Sequence, residues 1–123
     1  MNEAVICIGS NVADKERITA HAVNILRTAF ERDLRQSHSY INPSYNGIGD
    51  DYLNMVVCGS TALTAEDMIE LCHRLETEAG RTPLSKTIGI MPLDLDIVIW
   101  NGTVIRPFDY ASPHFMQGYM ALY

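Results

Sequence analysis

Positive charge is what this chain has least of. Nine Lys and Arg stand against fifteen Asp and Glu, for a formal net charge of −6, and no stretch gathers the basic residues. Binding nucleic acid through its phosphate backbone needs a basic surface, so a nucleic-acid partner is not expected. The same deficit bears on small phosphate ligands: a polyphosphate would need metal ions to mask its charge. Long apolar runs are missing too, and none approaches a membrane span, so no membrane partner is expected. The opening MNEAVICIGS has an acid where a secretory signal has basic residues; it reads as a first strand, and the expected compartment is the cytoplasm. Cysteine is scarce. Cys7, Cys58 and Cys72 are too few and too scattered for a metal cage, and each falls in an apolar segment, as reduced thiols packed as small hydrophobes do. Repeats, low-complexity tracts and linkers are absent.

What is present is the balance of an ordinary soluble globular protein: 123 residues, 47% hydrophobic and 20% charged, which predicts one domain over residues 1–123. AVICI at 4–8 is a short apolar run ended by the turn and helix-start signal Gly9-Ser10-Asn11. Ile18, Ala22, Ile25, Leu26 and Ala29 recur at helical spacing between Asp14 and Glu31. Residues 34–42 read as a half-exposed strand, and 43–51, rich in turn formers, as a mobile loop. Residues 52–62 read as a central strand. Thr64, followed by Glu66 and Asp67, outlines a capped helix whose buried side is Met68, Leu71, Cys72 and Leu75. A long loop over 81–92, a strand over 93–100, the hairpin signal Asn101-Gly102 and a short return strand over 103–105 follow, and the remainder reads as irregular. The order predicts an α+β fold, ferredoxin-like βαββαβ with an added C-terminal hairpin and helices packed on one face of an antiparallel sheet.

One strand is odd. In PLDLDIVIW (92–100) two carboxylates sit inside an apolar run. Side chains alternate along a strand, so Asp94, Asp96, Val98 and Trp100 are expected on one face and Leu95, Ile97 and Ile99 on the other. The two acids then stand about 6.6 Å apart along the strand. Such a pair is comfortable in water, as on any half-exposed strand, or with cations beside it. The spacing fits either. Val98 and Trp100 on the same face are unusual for an open surface, and the preceding Pro/Gly loop is where a lid over a site would lie.

Four segments in order, Ile8-Gly9-Ser10-Asn11, Asp51-Tyr52-Leu53-Asn54, Leu93-Asp94-Leu95-Asp96-Ile97 and Pro113-His114-Phe115, resemble the 6-hydroxymethyl-7,8-dihydropterin pyrophosphokinase family over nearly the whole chain. The resemblance implies an ATP-dependent enzyme of folate biosynthesis that moves a pyrophosphoryl group onto a pterin alcohol, with two Mg²⁺ ions held by Asp94 and Asp96. It implies Arg81 and Lys86 as cations acting with that pair, His73, Glu76, Ile97 and His114 as nucleotide contacts, and Asn42, Pro43, Tyr45, Tyr52, Asn54 and Tyr119 around the pterin. Each has a plainer alternative, such as a rim aromatic for Tyr52 and Tyr119 or a solvated acid for Glu76. For Asn54 the plainer alternative is not the favoured one, because an amide between Leu53 and Met55 in a strand goes against strand propensity.

The chain departs from the family pattern where cations are expected. Ile88 and Met91 stand at the loop positions of a tryptophan and an arginine, Pro83 at another arginine, and Asp109 and Gln117 near the arginines that flank the PH pair. Arginine forks bind phosphate bidentately, and these residues cannot. Arg81, Lys86 and Arg106 are the cations left to do so. Two further classes follow: a non-catalytic pterin- or nucleotide-binding protein on the same fold, and an interaction domain using a sheet edge. The chain ends at 120–123, a few dozen residues before family members usually do, which leaves surface for a homodimer.

Overall fold

The structure, a computed structural model, describes residues 1–44 and 46–123. Five antiparallel pairings build one sheet. Strand β1 (Asn2–Ser10) lies at its centre between β4 (Tyr52–Thr61) and β5 (Asp94–Trp100); β2 (Arg32–Gln36) and β3 (Tyr40–Asn42) both pair with β4, and β6 (Thr103–Val104) closes a hairpin on β5. Helices α1 (Lys15–Ala29) and α2 (Ala65–Glu78) connect strands in the predicted order, and the arrangement is the ferredoxin-like βαββαβ sheet with its extra hairpin. The central strands are apolar on the face that α1 and α2 cover. Ala4, Ile6, Ile8, Met55, Val57, Leu95 and Ile97 meet Ala22, Val23 and Leu26 of α1 and Met68, Cys72 and Leu75 of α2. Thr64 caps α2, its hydroxyl accepting from the Asp67 N–H at 3.1 Å, which satisfies one of the orphan donors of the first turn.

Four local expectations need correction. The strand read over 34–42 is two strands, because Ser37 leaves the ladder: its N–H donates to the Val56 carbonyl and its hydroxyl accepts from the Val56 N–H. Within the loop 81–92, Ser85–Ile88 forms the short helix α3. In β5, Ile97 pairs with Ile6 but Ile99 with Val5, so Val98 is an extra residue. That bulge turns Val98 and Ile99 to the same side and sends Trp100 to the α1/α2 side, which reverses the predicted faces of Ile99 and Trp100. Lastly, the tail read as irregular forms α4 (Pro107–Tyr110) and α5 (Pro113–Met120). Phe115 of α5 is fully buried against Cys7, Val56, Val98 and Ile99. So α5 covers part of the face that α1 and α2 leave open. The Asn101-Gly102 turn is as expected: both residues have positive φ, 49° and 77°, as a two-residue hairpin loop requires. Among the described residues no helix is long and apolar enough to cross a membrane.

Candidate active site

Cross-strand register decides which side chains meet. Gly9 lies opposite Asp94 on one side and Asn54 on the other, and Asn54 lies opposite Tyr40. Directly paired residues share a face, so Asp94, Gly9, Asn54 and Tyr40 form one row across four strands. Asp96, Cys7 and Val56 form the next row. Both rows lie on the face away from α1 and α2. Along Asp94–Val98, β5 has no strand neighbour beyond β1 among the described residues, and a cavity of about 660 Å³ opens around that free edge.

The cavity gathers most of the residues singled out from sequence. Asp94, Asp96, Arg81, Lys86, His73, Glu76, Ile97, His114, Pro43, Tyr52 and Asn54 all line it. Two do not. Asn42 turns its amide to Gln117, 3.4 Å away, and Tyr119 stacks on Phe115 at 5.1 Å and meets Tyr123 edge-on at 5.0 Å. Tyr119 packs there because α5 presents an aromatic stripe to the sheet, a helix the tail's composition did not announce. Tyr45 lies outside the described residues.

The two aspartates differ in surroundings. Asp94 Oδ1 accepts from Arg81 at 3.0 Å, and Arg81 also reaches Glu76 Oε2 at 2.6 Å. Asp96 is more enclosed, with its side chain 15% exposed, and its nearest cation is Arg106 at 3.4 Å. Burial first, and then the Asp94 charge, push the Asp96 carboxyl up to about 8, with Arg106 opposing. Both arginines are shared with other acids, Arg81 with Glu76 and Arg106 with Asp109, which leaves the pair short of counter-charge. Its hard oxygen donors fit a divalent cation such as Mg²⁺, and among the described residues no group of three or more His, Cys, Asp or Glu comes together to hold a metal alone. Two carboxylates leave the rest of the shell to phosphate and water, the usual arrangement for Mg²⁺.

Glu76 has a structural task that its sequence position hides. Its Oε2 accepts from the Leu95 N–H at 2.8 Å, satisfying a donor on the free edge of β5, while Arg81 balances its charge. Burial still raises its pKa above the usual carboxylate value. Glu76→Ala would leave the Leu95 N–H without its acceptor and Arg81 with Asp94 as its one carboxylate, and the expected cost is about 2–3 kcal/mol of stability, read as a lower urea midpoint. A midpoint equal to wild type would show that the edge does not depend on this acid.

Asn54 is 4% exposed, and its Oδ1 has no hydrogen-bond partner among the described residues. Its Nδ2 reaches only the Ile8 carbonyl, at 3.4 Å. A buried, unpaired amide oxygen at a cavity wall is costly unless a ligand donor meets it. Nearby, Asn11 ties the approach loop down: its Nδ2 donates to the Gly89 carbonyl at 2.8 Å and its Oδ1 accepts from the Met91 N–H at 2.7 Å. Met91 is buried at 2% exposure on the cavity wall, where its thioether brings no positive charge to a phosphate.

Sequence reasoning named Arg106 and His114 but missed the acid that joins them. Arg106 Nε donates to Asp109 Oδ2 at 2.6 Å, and His114 Nε2 lies 3.1 Å from Asp109 Oδ1. Asp109 was noticed only as an acid where an arginine was expected. The one signal in the sequence was the Arg-x-x-Asp spacing at a Pro-started helix.

The chain is similar to known proteins over nearly its whole length. The family model described as 7,8-dihydro-6-hydroxymethylpterin-pyrophosphokinase matches residues 5–118. A 2-amino-4-hydroxy-6-hydroxymethyldihydropteridine pyrophosphokinase of Bacillus subtilis is 31% identical over 115 residues, covering 92% of this chain and 68% of that protein. One of the same name from Methylorubrum extorquens is 28% identical over 116 residues, 93% of this chain and 73% of its own length. A mitochondrial folate synthesis bifunctional protein of Pisum sativum is 29% identical over 113 residues, 91% of this chain and 22% of that protein.

Proposed function

This chain belongs to the 7,8-dihydro-6-hydroxymethylpterin-pyrophosphokinase family, and from that premise we propose how its cleft performs the transfer. The reaction is pyrophosphoryl transfer in folate biosynthesis: the pterin's hydroxymethyl oxygen bonds to the β-phosphorus of ATP and releases its proton to solvent, the bond from that phosphorus to the α-phosphate oxygen breaks, and AMP leaves. The observation that carries the assignment is the shared row: a buried, half-satisfied amide, Asn54, stands two strands from the carboxylate pair on the same sheet face, inside one cavity.

Asp94 and Asp96 hold the cations. Two Mg²⁺ ions bound there would supply charge neutralisation on the phosphates and alignment of attacking and leaving oxygens. Asn54 offers Oδ1 to a ring donor of the pterin, with Tyr52 and Pro43 along the same wall. Lys86 and Arg106 face the phosphate side with the positive charge that the chain otherwise lacks, and His114 stands beside Arg106. The sheet fixes the acids and the amide relative to each other, so little is left to arrange when substrates arrive.

The direct test is AMP release from ATP with Mg²⁺ and the hydroxymethyl pterin. AMP formed only when both the pterin and the metal are present is the expected result; release equal to a metal-free control overturns the assignment. A second prediction concerns Gly9. A Cβ there would stand 2.7 Å from Asn54 Nδ2, closer than real contacts allow, so Gly9→Ala should displace the amide. We expect pterin affinity to fall about tenfold with nucleotide affinity unchanged, as for one lost buried hydrogen bond. Equal affinities for both ligands in wild type and variant would remove Asn54 from the pterin site.

A further inference from the structure

Asp109 is nearly buried, at 9% exposure, yet it is a charged residue on a cleft wall with no task in the transfer described above. Its two oxygens are divided between two cleft residues. Oδ2 accepts from Arg106 Nε at 2.6 Å, and Oδ1 faces His114 Nε2 at 3.1 Å. Arg106 Nη2 in turn lies 3.4 Å from Asp96 Oδ1. The hydrogen bond with His114, then that from Arg106, hold the Asp109 carboxyl below its usual range against burial, so it stays ionised and keeps its grip.

The point of attachment matters. A carboxylate that takes Nε fixes the plane of the guanidinium but leaves its terminal nitrogens available for another acceptor. Here one of them, Nη2, is turned toward Asp96. Arg106 is otherwise a half-exposed side chain with several rotatable bonds, and an unanchored arginine would lose much of its affinity to ordering. Asp96 cannot serve as the anchor, because its charge is the one that a cation takes up. Asp109 can.

We infer that Asp109 is a positioning residue: it holds Arg106 at the edge of the carboxylate pair as the phosphate clamp of this chain, with His114 kept alongside by the same carboxylate. The inference rests on the pyrophosphokinase reading. It accounts for an acid standing where positive charge is expected, since the acid brings an arginine from three residues away into the cleft.

A double-mutant cycle on nucleotide binding tests it. Calorimetry with Mg²⁺ and α,β-methylene-ATP, whose bridging bond does not transfer, gives Kd for wild type, D109N, R106A and the double variant. We expect R106A to weaken binding on the order of 10- to 100-fold, the range for one charge-assisted contact. D109N should cost about tenfold with Arg106 present and less than twofold in the R106A background. Equal costs of D109N in both backgrounds, or no cost in either, overturn the inference, because a merely structural acid would act independently of Arg106. Should D109N unfold, R106K carries the test. It leaves Asp109 and its contact with His114 in place while removing the Nε donor, and it must bind at least several-fold more weakly; wild-type affinity overturns the inference. Absence of Mg²⁺-dependent binding in the wild type itself would instead overturn the pyrophosphokinase reading on which this one stands.

Discussion

Asp96→Ala is expected to lower pyrophosphoryl transfer on the order of 10³-fold and to abolish Mg²⁺-dependent ATP binding, while leaving the fold as stable as before or more so. The first half follows from the charge that the transfer must manage. With fifteen acids against nine basic residues in the chain, side chains leave no surplus of positive charge for a triphosphate, and removing one of two cation ligands removes most of the electrostatic stabilisation. The second half follows from the environment of Asp96. Burial and the nearby Asp94 charge already disfavour its ionised form, so deleting it relieves a repulsion and costs no core contact. The pairing of outcomes is the discriminating feature. A variant that loses several degrees of melting temperature would mark Asp96 as a structural partner of Arg106. A stable variant that still binds ATP only with Mg²⁺ would take the cation away from this strand.

Phe115→Ala is expected to do the reverse, acting on stability first. The ring is fully buried and packs on Cys7, Val56, Val98 and Ile99, stacked on Tyr119 at 5.1 Å. It is the anchor of α5 on the second sheet face. Truncating a buried phenylalanine costs about 3–5 kcal/mol through lost burial and an unfilled cavity, a large part of the roughly 5–15 kcal/mol that holds a domain together. The melting temperature should fall by roughly 10 °C or more. Transfer should also suffer in the folded fraction, because His114 precedes Phe115 and its carbonyl is the acceptor for Tyr40 Oη at 2.8 Å and for the Cys7 thiol. Differential scanning calorimetry with Phe115→Leu as a partial rescue is the check. A fall under about 3 °C for the alanine variant would show that α5 contributes little to the core.

The two variants separate what was legible in the chain from what was not. The βαββαβ order could be read because each element carries its own short-range signal. The apolar period of α1, the threonine cap of α2 and the Asn-Gly turn act within a few residues. The aspartate pair was legible for the same reason: alternation along a strand places both acids on one face whatever surrounds them. The bulge at Val98 was not legible, since an extra residue is fixed by pairing with Val5 and Ile6, more than ninety positions earlier in the chain. Nor was the helical tail. Eight residues with no charge in the first turn of α5 have weak helix preference, and packing against an uncovered sheet face decides their conformation.

By itself the sequence determined the sign of the problem and its principal ligands: an acidic chain, too poor in cations to hold polyphosphate unaided, with two carboxylates and one strand amide where apolar residues would be cheaper. Only the tertiary structure decided what those residues stand beside. Register across three strands set Asn54 and Asp94 on opposite sides of Gly9, a side-chain bond from α2 satisfied the free edge of β5, and Asp109 drew Arg106 to Asp96. Each of these joins residues through space by hydrogen bonds or pairing whose partners are chosen by the packed sheet, and such choices leave no period, cap or turn signal in the chain that makes them.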